Sequence, residues 1–289
     1  YLPVLQEFFT RGLSYIQFRL RCMTVSGAEV VFLHPQTAGF SLLFSLMKKN
    51  DVSMYVMDSS FFCIQSYNTH PERFTECLRC LENIDPHSMC LVFPGIESVS
   101  KRVSYLKKLQ LSSGDINFLA QNRNQMELLK KHFGESIDVR VIGMNTGEVA
   151  DIARFPVIRD AEEVYDVVYH GAPIKAKGVH YFIALAEKLE EYSFFMPASK
   201  DVVKKEISRL EFPVNVHFED ITWENGLSTY IASARLVVHP SMWSAPIEGA
   251  LLKSAALNRN IATVRTRYGY EAEFKGAGHH LRLPEDVAT

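Results

Sequence analysis

The chain has 289 residues, 47% of them hydrophobic and 22% charged, the balance of a folded globular protein with room for two domains of about 100–150 residues. Lys and Arg total 31 against 33 Asp and Glu, a formal charge of −2 that speaks against a nucleic-acid partner. No apolar run reaches the ~18 residues of a membrane span, and no signal peptide is visible in a sequence that opens on Tyr1.

Residues 1–22 place Leu2, Leu5, Phe8, Phe9, Leu13, Ile16 and Leu20 at helical spacing with Arg11, Arg19 and Arg21 between them. Such a helix packs on a core or, being basic and amphipathic, meets a membrane or a partner. From residue 29 short β-rich runs alternate with amphipathic helices. Strands are expected at 29–33, 53–57, 88–93, 116–120 and 138–142, with helices at 40–49, 71–81, 97–109 and 122–133. The stretch 143–165 has no clear period and reads as an interdomain connection. The second half alternates more cleanly, with strands at 166–170, 192–196, 214–218, 236–239 and 261–264. Its helices are expected at 177–191, 200–210, 226–233, 248–257 and 268–274. Strand–helix alternation of this kind builds a parallel sheet covered on both faces. Two such units in tandem would place a crevice between them, with ligands at the carboxyl ends of the strands.

Five cysteines, Cys22, Cys63, Cys77, Cys80 and Cys90, are too few and odd in number for a disulfide scaffold, so a reduced, cytosolic setting is the default. Cys77-Leu-Arg-Cys80 has metal-ligand spacing, but no second pair follows, and thiols rather than a zinc site are expected there.

Two segments of the second half point to chemistry. Val168-Tyr-His-Gly-Ala-Pro-Ile-Lys-Ala-Lys-Gly178 runs from a strand through a glycine turn into a helix, with Lys175 and Lys177 beside helix N–H groups that suit a phosphate. Val238-His-Pro-Ser-Met-Trp-Ser-Ala-Pro-Ile-Glu248 leaves a strand and enters a helix, placing Ser241 and Trp243 where an aromatic ring can stack on a base or sugar, or simply join the core. A lysine at a helix start is commonly just solvated, and Glu248 opening a helix is favoured by the dipole whatever its function. His34 and His239 each end a strand, where structural histidines are common, and Asp58 before Ser59-Ser60 suits a turn or cap as well as a site.

Taken together and in this order, the two segments resemble the C-terminal domain of the group 1 (family four) retaining glycosyltransferases, which have the GT-B fold. That family shows a strand, Gly-Arg, four residues, Lys-Gly and a helix. Later come Pro-Ser-x-Trp-x-Glu-Pro-Phe-Gly and a second Glu eight residues after the first. Gly171 matches the glycine, Lys177-Gly178 the lysine–glycine pair, and Pro240-Ser241-Met242-Trp243 with Pro246 the loop. Gly269 stands in the segment that resembles the family's Gly-Gly-x-Pro-Glu. The likeness covers about residues 166–284, with weaker echoes at 29–34, 56–60 and 142–145. The arginine is replaced by Ala172, the first Glu by Ala245 and the second by Lys253, so the E-x7-E motif is degenerate, and the acceptor-domain histidine falls at Met57 or Asp58.

The resemblance implies an α/β fold of two Rossmann-like domains facing a crevice. Residues 1–145 would form the acceptor side, 146–165 the connection and 166–289 the nucleotide-sugar donor domain. The first domain is expected to be incomplete, because the family's opening strand and glycine-rich loop are not found before residue 29. The implied activity is sugar transfer from a nucleotide donor to a glycan, lipid-linked glycan or other glycoconjugate, as in polysaccharide biosynthesis, with no metal and no cofactor. The donor would be held by Gly171, Lys175, Lys177, Gly178, Ser241, Trp243, Glu248, Lys253 and Gly269. Asp58, Lys177 and Glu248 would carry catalysis, and His34 and Asp58 the acceptor. Lys177 is expected at an open crevice lip. A cytoplasmic location follows, peripheral to the inner membrane face if the first helix docks there. The lost charged positions leave open a catalytically degenerate pseudo-glycosyltransferase acting as a binding partner.

Overall fold

The computed structural model of the chain describes residues 2–95, 97–144, 165–270 and 279–287. They divide into two compact units. The first comprises Tyr1–Ser66, Arg79–Ala120 and Leu129–Ile142, and the second Tyr67–Leu78, Gln121–Leu128 and Gly143–Thr289. No helix of the described residues is long and apolar enough to cross a membrane.

The first unit carries helix α1 (Leu2–Thr24), β1 (Glu29–Leu33), α2 (Pro35–Ala38), α3 (Phe40–Met47), β2 (Asp51–Tyr55), α4 (Val99–Leu111), β3 (Ile116–Ala120) and β4 (Val139–Val141); α5 (Arg123–Phe133) enters it with its last turns. The strands lie in the order β1-β2-β3-β4, all parallel. Alternate residues point to opposite faces of a strand, and Val52 and Met54, and Ile116, Phe118 and Ala120, are buried, as are Leu42, Leu43 and Leu46 of α3 and Leu106 and Leu109 of α4. Helix α4 starts where the Ser98 hydroxyl accepts the Lys101 N–H at 3.3 Å. On α1, Leu13, Ile16, Leu20 and Met23 are more than half exposed, while Arg19 reaches the Ala38 carbonyl and the Ser41 hydroxyl.

Two expected elements of the first half are absent. Residues 71–81 form turns around a bridge between Thr69 and Glu76, not a helix. Phe74 there adopts a φ of 55°, left-handed backbone that ends any helical run. Residues 88–93 pair with no strand; Leu91 and Phe93 are exposed, and Pro94 brings no N–H for a ladder.

The second unit is built from β5 (Val167–Tyr169), α6 (Val179–Lys188), β6 (Phe194–Met196), α7 (Lys200–Ile207), β7 (Val216–Phe218), α8 (Leu227–Ser233), β8 (Leu236–His239), α9 (Gly249–Leu257), β9 (Asn260–Val264) and β10 (His279–Leu283). Strand β10 is an addition to the sequence-based elements, pairing in parallel with β9. The expected helix over 268–274 and connection over 146–165 fall largely outside the described residues. All six strands are parallel, in the order β10-β9-β8-β5-β6-β7. The chain therefore winds outward from β5 through β6 to β7, then returns to the other side of β5 for β8, β9 and β10. This is the doubly wound, Rossmann-type order. Val167 and Tyr169 face a core with Phe182, Ile183 and Val203, whereas Val168 faces Ile231, Trp243 and Leu251, so helices cover both faces.

The gap between β5 and β8 is where the strand order reverses, and the loops leaving these two strands are locked together. Gly178 has φ 74° and stands where a Cβ would lie 1.9 Å from the Pro240 carbonyl oxygen and 2.7 Å from its carbon. The Met242 N–H donates to the Ala176 carbonyl across the same contact at 3.0 Å. Only a residue without a side chain permits this approach, which explains the glycine of the Lys177-Gly178 pair. Gly178→Ala is expected to destabilise the chain by about 2–5 kcal/mol, from the left-handed backbone and the overlap together. Urea unfolding would measure it, and a loss below about 0.5 kcal/mol would mean that the loops do not meet this way.

Candidate functional site

In an open parallel sheet, ligands bind outside the carboxyl ends of the strands at the point where strand order reverses. Here that point is bordered by the loops after β5 and β8, the two segments that the sequence singles out. The 3-10 turn Lys175–Lys177 brings Lys177 toward the loop after β8, and Glu248 lies at the N-cap of α9. Lys177 Nζ donates to Glu248 Oε1 at 2.6 Å, and the Ser241 hydroxyl donates to the same oxygen at 2.5 Å. The Lys177 ammonium also lies 5.0 Å from the ring centre of Trp243 and 5.4 Å from that of Tyr67, two rings packed edge to face at 4.8 Å. The lysine side chain is only 16% exposed and the glutamate 5%. The structure therefore corrects the expectation of an open lip: Lys177 is boxed and paired. Trp243 itself is 4% exposed, a buried wall of this box rather than a free stacking surface.

Beside this pair lies a cavity of about 270 Å³ lined by His170, Gly171 and Ala172 after β5, Pro197 after β6, Ile221 and Trp223 after β7, and Lys253 of α9. Lys253 Nζ lies 5.0 Å from the Trp223 ring centre, so a cation and an indole stand together at the wall. Gly171 thus lines the cavity, Ser241 and Glu248 hold Lys177, and Gly178 supplies the close approach. Lys175 is turned elsewhere: its N–H donates to Glu206 and its ammonium covers Phe74 at 4.4 Å. The Gly269 carbonyl accepts the Asn124 side-chain N–H at 2.5 Å.

Two buried histidines lie between the strand ends, their rings 5.4 Å apart. His170 Nδ1 lies 2.7 Å from the Ser254 hydroxyl, and its pKa is held well below the usual value by burial first, then by His239 and Lys253. His239 is pushed down to about 3 by burial and by Lys177, which the nearby His170 backbone does not offset. Both rings are neutral at pH 7.

In the first unit, His34 follows β1 and Asp58 follows β2, so adjacent parallel strands deliver both residues to the same sheet edge. Asp58 Oδ2 accepts the Gln36 amide at 2.6 Å and Oδ1 accepts the Ser60 N–H at 3.0 Å, while His34 Nδ1 lies 3.8 Å from Oδ2. They border a cavity of about 10 Å³, room for one water. The five cysteines are free thiols.

Sequence reasoning missed Tyr67 and Asn68, which it assigned to no element, Glu76, which it read as helical, and Trp223 and His170, whose role depends on how the strands are ordered. No protein-family model matches the sequence, and no curated protein matches it. Among solved structures the chain is similar to HepE of Anabaena in complex with UDP, with a TM-score of 0.53 and 12% identity over 93% of this chain and 68% of that one. It is similar to sucrose-phosphate synthase of Thermosynechococcus elongatus, with a TM-score of 0.56 and 12% identity over 90% and 61% of the two chains. The α,α-trehalose-phosphate synthase (UDP-forming) of Burkholderia vietnamiensis gives 0.55 and 11% over 96% and 68%. The fold is GT-B. The GT-B likeness spans both parallel sheets, and at this identity it speaks to fold alone.

Two measurements test the site's electrostatics. Unfolded histidine takes a proton near pH 6.5, whereas His239 in the fold resists it to about pH 3, and His180, in the first turn of α6 outside the cavity, to about pH 4, burial being the first cause in each. The unfolded chain therefore binds more protons below pH 6.5, and stability falls as pH drops from there toward 4. Urea midpoints at pH 7.5 and 5 should show this loss, and His239→Gln should flatten it; an unchanged slope in that variant would contradict the burial. Lys177→Met, which strands a buried carboxylate, should destabilise by about 3–5 kcal/mol, and adding Glu248→Gln should restore most of it. Additive losses in this double-mutant cycle would mean that the pair does not interact.

Proposed function

We propose that the chain is a glycosyltransferase that takes a sugar from a nucleotide donor bound to the second unit. One observation carries the reading: where the strand order of a GT-B sheet reverses, the loops hold a buried cation–carboxylate pair and, at the same strand ends, a cavity lined by Lys253. The family four resemblance of residues 166–284 and the nucleotide-bound state of similar structures such as HepE with UDP support it.

In this reading the nucleoside occupies the cavity beside Trp223 and Lys253, and the diphosphate reaches toward Lys177. Lys177 exchanges Glu248 for a phosphate oxygen as negative charge develops on the leaving diphosphate. A preorganised cation of this kind acts without metal. Glu248, released from the lysine, accepts a hydroxyl of the transferred sugar in place of the carboxylate lost at Ala245. Asp58, oriented by Gln36 and backed by His34, takes the proton of an acceptor hydroxyl on a glycan or lipid-linked glycan. Gly178 and Ser241 hold the loops, and Lys175 and Gly269 support them from outside the box. The location is cytoplasmic, with the exposed apolar residues of α1 against the inner membrane face or a protein partner.

A second reading has its own observation. Lys177 is already neutralised by Glu248, and Ala172 stands where the family's second cation would be. A chain that keeps this box only as a structural pair would be a pseudo-glycosyltransferase serving as a scaffold.

A thermal-shift panel of UDP, GDP, ADP, TDP and CMP with their sugar conjugates separates the two. A ligand at 100 times its Kd stabilises by about 2.7 kcal/mol, a shift of a few degrees. The enzyme reading expects one base to respond and Lys177→Met to abolish both the response and hydrolysis or transfer of the matching sugar donor. Silence across the panel from a folded sample would leave the scaffold reading.

A further inference from the structure

Segment Tyr67–Leu78 belongs by contacts to the second unit, and its polar side chains converge on the loops that build the candidate site. Asn68, fully buried, donates from Nδ2 to the Ser244 hydroxyl at 2.8 Å and accepts the Ser244 N–H on Oδ1 at 3.0 Å. Glu76 accepts the Ser244 hydroxyl on Oε1, the Tyr268 N–H on the same oxygen at 3.2 Å and the Arg267 N–H on Oε2 at 2.6 Å. The segment closes on itself, with the Cys77 N–H donating to the Asn68 carbonyl at 2.8 Å and the Asn68 amide to the Cys77 carbonyl at 3.0 Å. The same turn carries Tyr67 onto Lys177 and Trp243, and Phe74 onto Lys175.

Ser244 follows Trp243, the wall of the lysine box, and shares its loop with Ser241 and Glu248. Arg267 and Tyr268 follow β9. One carboxylate and one amide therefore tie the loop after β8 to the loop after β9, a bond neither loop makes for itself through these groups. A two-point contact from one amide to the hydroxyl and the N–H of Ser244 fixes orientation as well as distance, because truncating Asn68 would leave the buried Ser244 N–H without this acceptor.

We infer that residues 67–78 form a clamp that completes the donor end of the second unit, and that Asn68 and Glu76 are positioning residues acting through Ser244 to hold Trp243, Lys177 and Glu248 in register. The inference rests on the proposed donor site for its functional consequence, but its structural part stands apart from it. Neither residue touches the cavity beside Trp223, so each acts through the loops.

The test uses the full chain with Trp223→Phe, which makes Trp243 the only tryptophan, and compares Glu76→Ala, Glu76→Gln and Asn68→Ala in that background. Gln keeps an acceptor oxygen in place of the carboxylate, so it serves as the conservative rescue. The clamp expects Trp243 emission to shift to the red and acrylamide quenching to rise at least twofold in both Ala variants, with Glu76→Gln close to the parent. UDP affinity, measured by calorimetry on the unaltered Trp223 chain and on the same substitutions made in it, should fall about tenfold or more for Ala and less than threefold for Gln. Unchanged Trp243 emission and quenching in both Ala variants would overturn the clamp, whether or not UDP binds. Shifted emission with unchanged UDP affinity would overturn the positioning role. If the unaltered chain binds none of UDP, GDP, ADP, TDP and CMP, the donor reading fails on its own, and the fluorescence still decides the clamp. Should Asn68→Ala not fold, Glu76→Ala and Glu76→Gln carry the same comparison.

Discussion

The site depends on a contact between two stretches of backbone. Gly178 and Pro240 approach so closely that a single methyl group at position 178 would fall inside the carbonyl of the other loop. That approach closes the gap between β5 and β8 and carries Lys177, next in the chain, to within hydrogen-bond distance of Glu248. The pairing of charges is thus a consequence of backbone geometry before it is one of electrostatics. An ammonium and a carboxylate brought together with little water remain stable only if they meet at short range, and the added Ser241 hydroxyl satisfies part of what water would otherwise supply.

Around this contact the second unit separates structural from functional duties. Phe182, Phe194, Met196 and Val203 fill one face of the sheet and Phe195, Ile231 and Leu251 the other, giving the strand ends a rigid base. The polar residues gather where the strands stop, and there the packing includes groups that are expensive to bury. His170 and His239 remain neutral, because burial and the nearby cations Lys253 and Lys177 outweigh the opposing pull of Glu248 on His170. Neutral imidazoles keep the space between the strand ends free of added positive charge, and among the described residues Lys253 is the cation that lines the cavity.

Much of the fold was legible in the sequence. Strands β1, β3 and β8 stand at the β-branched and apolar runs that mark them, alternating in β3 and continuous in β8, whose Val237 and Val238 enter opposite faces of the core. The loop motifs led to Lys177, Ser241 and Glu248, since glycine, lysine and a Pro-Ser-x-Trp run are local signals. The clamp was not legible. Residues 71–81 carry apolar residues at spacings a helix would use, and only partners 168 to 192 positions away show why Glu76 sits in a turn instead. For the same reason the cavity beside Trp223 could not be read, because strand order, not local pattern, gathers the loops after β5, β6 and β7 and helix α9 around one space. Nor did the sequence disclose that Lys177 is enclosed: exposure is a property of the assembled loops.

The enclosure of Lys177 has a consequence for how an anion would find it. A charge that meets its counter-charge inside the protein projects little field into solvent, so it contributes little to long-range capture. Salt at physiological strength screens exposed charges beyond about 8 Å, but it has little to act on here. Recognition at this lysine would begin at contact, and added salt would slow the arrival of an anion far less than it does at a surface patch of bare lysines.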